Sequence, residues 1–390
     1  MNNVFFSALN KRVTEAFSII EKEITTEAAS LYVRRISNIS APSTAASRLR
    51  FPVIKELLNE RNNMKKDSIH LYSDFDKTGN MVVITGKVSY KKPVWILAHS
   101  DTISYLIQPG TKEGYPLVAN CHHMIKDGFC NGKVYRYNLM DNLYEVISRG
   151  KITTKNSAPF YTPENEIVLV PGDRVVLDIK YNEIDQYGLI NAHVDNAGGI
   201  AAALLAVPIL AEMGIEALIA FPDEEEGPHG SGNQMIGRGG TRLLNLLDQP
   251  DLVLVGDVQQ AGGYEAADTR GGVENKSRMG NGAVLSEFSS LGRGAVTPPH
   301  LYVLAREYAQ FLSSFNVKIQ ESNNAYSSRS DDISMMLKTP NILLLGFPGI
   351  NRHGDSGLPA ANINDIVNLA KSFVYYALLQ ELYSTLNLID

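Results

Sequence analysis

The sequence predicts an α/β protein with a mixed, largely parallel sheet covered by helices on both faces and an inserted small β domain. Three observations carry this expectation. From about Leu189 onward, helical and strand-like segments alternate, which calls for a parallel sheet with helical crossovers. Between about 104 and 189 the pattern changes to short β-like runs broken by Gly, Pro and Asn. Finally, several short apolar runs each end in an imidazole or a carboxylate, as in sheets whose carboxyl ends line a site.

Taken in order, residues from about Glu15 to Asn62 are helical, with Ile39-Ser-Ala-Pro-Ser-Thr as a loop between two helices. The turn Lys77-Thr-Gly-Asn leads into a strand from Met81, and a second strand, Val94-Trp-Ile-Leu-Ala, runs into His99. Residues 104–189 form the inserted β domain, between a first catalytic part at 1–103 and a second at 190–390. A helix at 198–213 follows, then strands at Ala217–Phe221, Leu252–Val255 and Ile342–Leu345, with helices near 300–314 and 364–383. The Gly- and Ser-rich segment 268–299 reads as a surface excursion.

Composition narrows the function classes. With 36 basic and 42 acidic residues the formal charge is −6, so no basic field holds a phosphate backbone and nucleic acid is not an expected partner. The most apolar stretch, 198–222, contains Pro208, Glu212 and Glu216, which argues for a buried helix and strand over a membrane span. No export signal is visible at the start, and two cysteines make no disulfide framework, so the cytoplasm is the expected compartment.

The strand ends deliver His99 and Asp101, Asp195, Glu224 and Glu225, Asp257, and His353. Zinc accepts imidazole nitrogen and carboxylate oxygen, and two metals a few ångströms apart can share one carboxylate. Five ligands and one base suffice for such a hydrolytic site.

At AHSDTISYLI, VPGDRVVLD, DNAGG, EEEGPHGSG, VGDV and RHG, in that order, the chain resembles the co-catalytic zinc peptidase superfamily, and within it the glutamyl and tetrahedral aminopeptidases. The resemblance spans nearly the whole chain. It implies that His99 and Asp257 hold one metal, Glu225 and His353 the other, and that Asp195 bridges them. It further implies Glu224 as general base, Asp101 as the carboxylate orienting His99, and a cis peptide between Asp195 and Asn196. Two divalent ions are implied, zinc first, with cobalt or manganese as alternatives. The implied reaction is aminopeptidase hydrolysis of peptides or small amides, in a homo-oligomer assembled through the inserted domain. A carboxypeptidase or an N-acyl amidohydrolase would use the same chemistry, and a catalytically dead assembly protein is the non-enzyme alternative. DNAGG lacks the basic residue that often follows the bridging aspartate in those aminopeptidases, and EEEG adds a third carboxylate, Glu226, beside the pair.

Other features have plainer readings. His193 is expected to pack, Cys121-His-His with Cys130 to be a buried cysteine beside surface histidines in preference to a structural zinc site, Asp331 to cap a helix in preference to contacting a substrate amine, and Arg352 to contact a substrate carboxylate or form an exposed ion pair.

Overall fold

The computed structural model describes residues 3–60, 66–121, 127–227, 237–263, 273–354 and 356–385. Three helices open the chain: α1 (Asn3–Glu23), α2 (Thr26–Ser37) and α3 (Ala46–Asn59). The first begins well before Glu15, because Phe5, Leu9, Val13, Ala16 and Ile20 continue one buried helical stripe. Strands β1 (Ile69–Tyr72), β2 (Met81–Thr85) and β3 (Val94–Leu97) follow.

Next comes a closed six-stranded antiparallel barrel: β4 (Ser104–Ile107), β5 (Tyr115–Ala119), β6 (Gly128–Asn138), β7 (Leu143–Lys155), β8 (Ala158–Pro163) and β9 (Arg174–Leu177). It has its own core around Tyr105, Val134, Ile152, Tyr161 and Val175. Closure removes the exposed edges that such short strands would otherwise present.

The chain then returns through β10 (Leu189–Asn191) to α4 (Val194–Glu212), β11 (Ala217–Phe221), α5 (Arg238–Leu244), β12 (Leu252–Gln260), β13 (Ala283–Ser286), α6 (Pro299–Leu312), β14 (Ile319–Glu321), α7 (Asp332–Met335), β15 (Ile342–Ile350), β16 (Ala360–Asn362) and α8 (Ile363–Thr385). The main sheet runs β1-β2-β11-β3-β12-β15-β13-β14, and its four central strands, β11, β3, β12 and β15, are mutually parallel. The segment 268–299 is not wholly a surface excursion, since Ala283–Ser286 is a buried strand pairing with β15 and β14. Three apolar residues and a serine after a glycine-rich run carry too little periodicity to be seen in sequence.

Both faces of the sheet are covered, and the pleat shows it. In β3, Val94 and Ile96 join the core under α1, α2, α4 and α8, while Trp95 and Leu97 join a second core with Leu243 and Met335 on the other face. Helix α4 is long and apolar enough to cross a membrane, yet the whole of that stretch is buried as the central helix of the first core.

Candidate metal centre

The site lies where the parallel strands end. His99 and Asp101 follow β3, the glutamates follow β11, Asp257 lies within β12, His353 follows β15, and Asp195 stands at the start of α4. Parallel register places these ends together although up to 254 residues separate them in sequence.

Asp195 is the centre. Its Oδ1 is 2.9 Å from His99 Nε2 and its Oδ2 is 3.2 Å from His353 Nε2, so one carboxylate faces an imidazole on each side. Two overlapping groups result, His99–Asp195–Asp257 and Asp195–Glu226–His353, and within each the potential ligand atoms lie within 4.8 Å of one another. All five residues are buried. His99 Nε2 is 3.7 Å from Asp257 and 3.8 Å from Glu225, and His353 Nε2 is 3.4 Å from Glu226.

The backbone at the centre is held by neighbouring side chains. The Asp195–Asn196 peptide is cis, as the sequence resemblance implied. Asn196 donates to Gly256 O at 2.8 Å and accepts from Gly199 N at 3.0 Å, which fixes the start of α4 against β12 beside Asp257. A Cβ at Gly199 would sit 2.3 Å from Asn196 Oδ1, so the second glycine of DNAGG is sterically required.

The glutamate turn differs from the expectation by one residue. Glu224 has φ +63°, in the left-handed region that non-glycine residues rarely occupy, and this turns its side chain away from the histidines. It pairs with Arg242 at 2.6 Å and faces Arg238 at 3.5 Å. Glu225 and Glu226 are the carboxylates that face the cluster, instead of Glu224 and Glu225. Asp101 holds that register, accepting from Glu225 N at 3.0 Å and Glu226 N at 3.3 Å. Asp223 anchors the turn from behind, accepting from Thr44 N, Ala46 N and Glu224 N at 2.9, 3.2 and 2.7 Å. It thereby supplies the cap that Ala45 cannot give to α3.

Asp101 also serves His99. The imidazole Nδ1 lies 3.1 Å from Asp101 O and 3.4 Å from its Oδ1, leaving Nε2 directed at Asp195. A third contact, Ser43 Oγ to Asp101 Oδ2 at 2.6 Å, ties the Ile39–Thr44 loop to the same carboxylate.

The electrostatics follow from crowding acids around two imidazoles. Burial works against a charged His99, but the carboxylates of Glu225 and Asp257 and the hydrogen bonds to Asp101 and Asp195 outweigh it and hold its pKa well above the usual value. Burial likewise opposes charge on His353, whose pKa is nevertheless raised to about 9, chiefly by Glu226. Asp195 is pulled well below the carboxylate range, because hydrogen bonds from His353 and His99 overcome its burial. Burial lifts Glu225 and Glu226, and their mutual repulsion adds to the rise at Glu225. Asp195, Glu225, Glu226 and Asp257 together exceed the charge of two imidazoles. This oxygen and nitrogen donor set with surplus negative charge fits divalent metal ions.

The remaining expectations resolve variously. His193 is buried with Nε2 3.4 Å from Leu177 O, so it packs. Cys121 is buried and Cys130 partly so, both with free thiols, while His122, His123 and His229 lie outside the described residues. Asp331 does not cap α7 through its side chain. Arg352 is half-buried, and Asp195, Asp257 and Glu226 are the charges that act on it.

Comparison with known proteins agrees with this geometry. The model of peptidase family M20/M25/M40 matches residues 191–379. No curated protein sequence matches the chain. Among solved structures, the TET1 peptidase of Pyrococcus horikoshii, described as assembling into a tetrahedron or a large octahedral shell, is 18% identical with a TM-score of 0.68, covering 90% of this chain and 99% of its own. A TET aminopeptidase from a marine-sediment Thaumarchaeota archaeon is 15% identical with a TM-score of 0.69, covering 90% and 97%. An aminopeptidase of Desulfurococcus kamchatkensis is 16% identical with a TM-score of 0.69, covering 90% and 95%. The structural likenesses show a shared fold, and the peptidase family model matches the part of the chain that carries Asp195, Glu225, Glu226, Asp257 and His353, which supports a metallohydrolase.

Proposed function

We propose that the protein is an aminopeptidase that removes the N-terminal residue of peptides at a centre of two divalent ions, zinc first, with cobalt or manganese as alternatives. The observation that carries this reading is the placement of Asp195, with one oxygen facing His99 and the other facing His353. His99 and Asp257 would hold one ion, Glu226 and His353 the other, and Asp195 would bridge. Bound there, the ions would polarise the scissile carbonyl and lower the pKa of the attacking water.

Glu225 is the general base in this assignment. Its carboxylate stands 3.8 Å from His99 Nε2, beside both ligand groups but in neither. It takes the proton of the attacking water and delivers it to the leaving amine, so no covalent intermediate on the protein is needed. Asp101 keeps His99 in one orientation and the two glutamates in register.

Aminopeptidase specificity is supported by the structural neighbours that carry that activity in their names. One observation favours a second reading, a carboxypeptidase or amidohydrolase. Arg352 precedes His353, feels the charges of the centre, and offers the cation a substrate carboxylate would need. A turnover panel of aminoacyl, carboxy-terminal and N-acylated substrates with metal-reconstituted protein separates these. Cleavage confined to the N-acylated or carboxy-terminal set would end the aminopeptidase reading, and no turnover by correctly metallated protein would favour a binding role.

The barrel is proposed as the assembly surface of a homo-oligomer in the cytoplasm. Phe129, Leu139, Met140, Val168 and Val170 are exposed on it. Light scattering that finds a monomer at micromolar concentration would exclude this.

A further inference from the structure

We propose that Asp331 anchors the α-ammonium group of the substrate, an inference that rests on the aminopeptidase reading. The residue follows Ser330 and stands just before α7, where a helix cap would be the ordinary role. The geometry denies that role, because Asp331 makes no side-chain bond to the first N–H groups of the helix. Its neighbour Asp332 does the structural work of the loop. Asp332 accepts from Ser289 Oγ at 2.6 Å, Ala295 N at 2.9 Å and Ser330 N at 2.6 Å.

Asp331 is fully buried, and neither carboxylate oxygen has a hydrogen-bond partner. Among the described residues no other carboxylate has both oxygens fully enclosed and without a partner. The group is pressed against the helix that follows the glutamate turn, since a Cβ at Gly240 would lie 3.2 Å from its Oδ1. The charges acting on it are those of His99, Asp101 and Asp257 at the centre and of Asp332 beside it. A buried carboxylate with no bond is costly, and such groups persist in folded proteins where a cation completes them.

The α-ammonium of a peptide is one carbon away from the scissile carbonyl. A carboxylate within electrostatic reach of His99, Asp257 and Glu225 is therefore suited to read it, and an N-acylated chain, which carries no charge there, gains nothing from Asp331. This makes the residue a determinant of specificity for free amino termini. It does not move the reacting proton, which is the task of Glu225.

The test uses two probes that differ only in the amine, L-leucine hydroxamate and 4-methylpentanoyl hydroxamate, titrated calorimetrically into metal-reconstituted protein. Wild type is expected to bind the amine-bearing probe at least about 30-fold more tightly, the scale of a lost buried charge pair. Asp331→Asn should bring the two probes within about 3-fold while leaving the affinity for the desamino probe unchanged. A preference that survives in Asp331→Asn overturns the proposal, as does an equal loss for both probes. A wild type with no preference overturns the aminopeptidase reading itself, and this inference with it. Thermal melting gives an independent check. Asp331→Asn should melt no lower than wild type, because the carboxyl it replaces is lifted to about 8 by burial and makes no hydrogen bond that the amide would lose, whereas Asp332→Asn should melt lower. Destabilisation of Asp331→Asn to the level of Asp332→Asn, or failure to fold, would reveal a structural partner and overturn the assignment.

Discussion

The two sides of Asp195 are chemically alike and mechanically different. On one side His99 follows a central strand, is fully buried, and has Nδ1 held 3.1 Å from Asp101 O. On the other side His353 lies in a turn after β15, and its buried Nδ1 has no hydrogen-bond partner. A metal-bound imidazole is normally oriented through its second nitrogen. The difference therefore teaches that one imidazole is preset by the sheet and the other takes its orientation mainly from Asp195 and Glu226. Two ions bound here should accordingly differ in affinity, with the His99 side the tighter.

The largest effect should come from the residue common to both sides. Asp195→Asn is expected to abolish binding of both ions in equilibrium dialysis and to reduce turnover by at least about 10⁴-fold, beyond the range for a lost general base alone. Retention of one tightly bound ion would break the symmetry of the bridge.

Next in size is the base. Glu225→Gln should keep both ions and lose about 10²–10⁴-fold in kcat, whereas Glu224→Gln should stay within a few-fold of wild type, since Glu224 is paired with Arg242. The opposite ranking in steady-state kinetics would return the glutamate turn to the register that the motif suggested.

Asymmetry is sharpened by removing the support on one side. Asp101→Asn should weaken the ion on the His99 side by about 10–100-fold, as lost outer hydrogen bonds to a ligand do, and affect the second ion less. Competition with a chelator reads both constants, and equal weakening would show that Asp101 acts chiefly through the glutamate turn.

The smallest effect concerns a buried acid remote from both histidines. Asp365 is lifted to about 7 by burial, against the N–H groups of Gly280 and Gly282, which favour its charged form. A carboxyl whose pKa rises on folding contributes stability that is complete below the unfolded value of about 3.9 and lost as pH rises through the folded value. The melting temperature should thus fall between about pH 4 and pH 7, and fall less in Asp365→Asn. An identical slope in the variant would assign the pH dependence elsewhere.

Much of this is legible in the amino-acid sequence. Alternation after Leu189, the change of texture at 104, and the apolar strands ending in His99, Asp257 and His353 all reflect local periodicity, which side-chain chemistry alone dictates. The motifs also pointed to Asp195 as the shared carboxylate. The short strand Ala283–Ser286 escaped because four residues carry no decisive pattern.

The glutamate turn escaped for another reason. Three adjacent carboxylates are chemically equivalent along the chain, and any two of them could serve. What separates them is a backbone dihedral at Glu224, the N–H groups of Glu225 and Glu226 bonded to Asp101, and an ion pair from Glu224 to Arg242. The unpartnered state of Asp331 is of the same kind, since its neighbour Asp332 takes the bonds that sequence would allot to either. Residue types and spacing therefore determined the fold class, the order of strands and helices, and the chemistry gathered at the strand ends. Only the tertiary structure decided which of several neighbouring acids faces the centre, because direction in space depends on contacts between segments far apart in the chain.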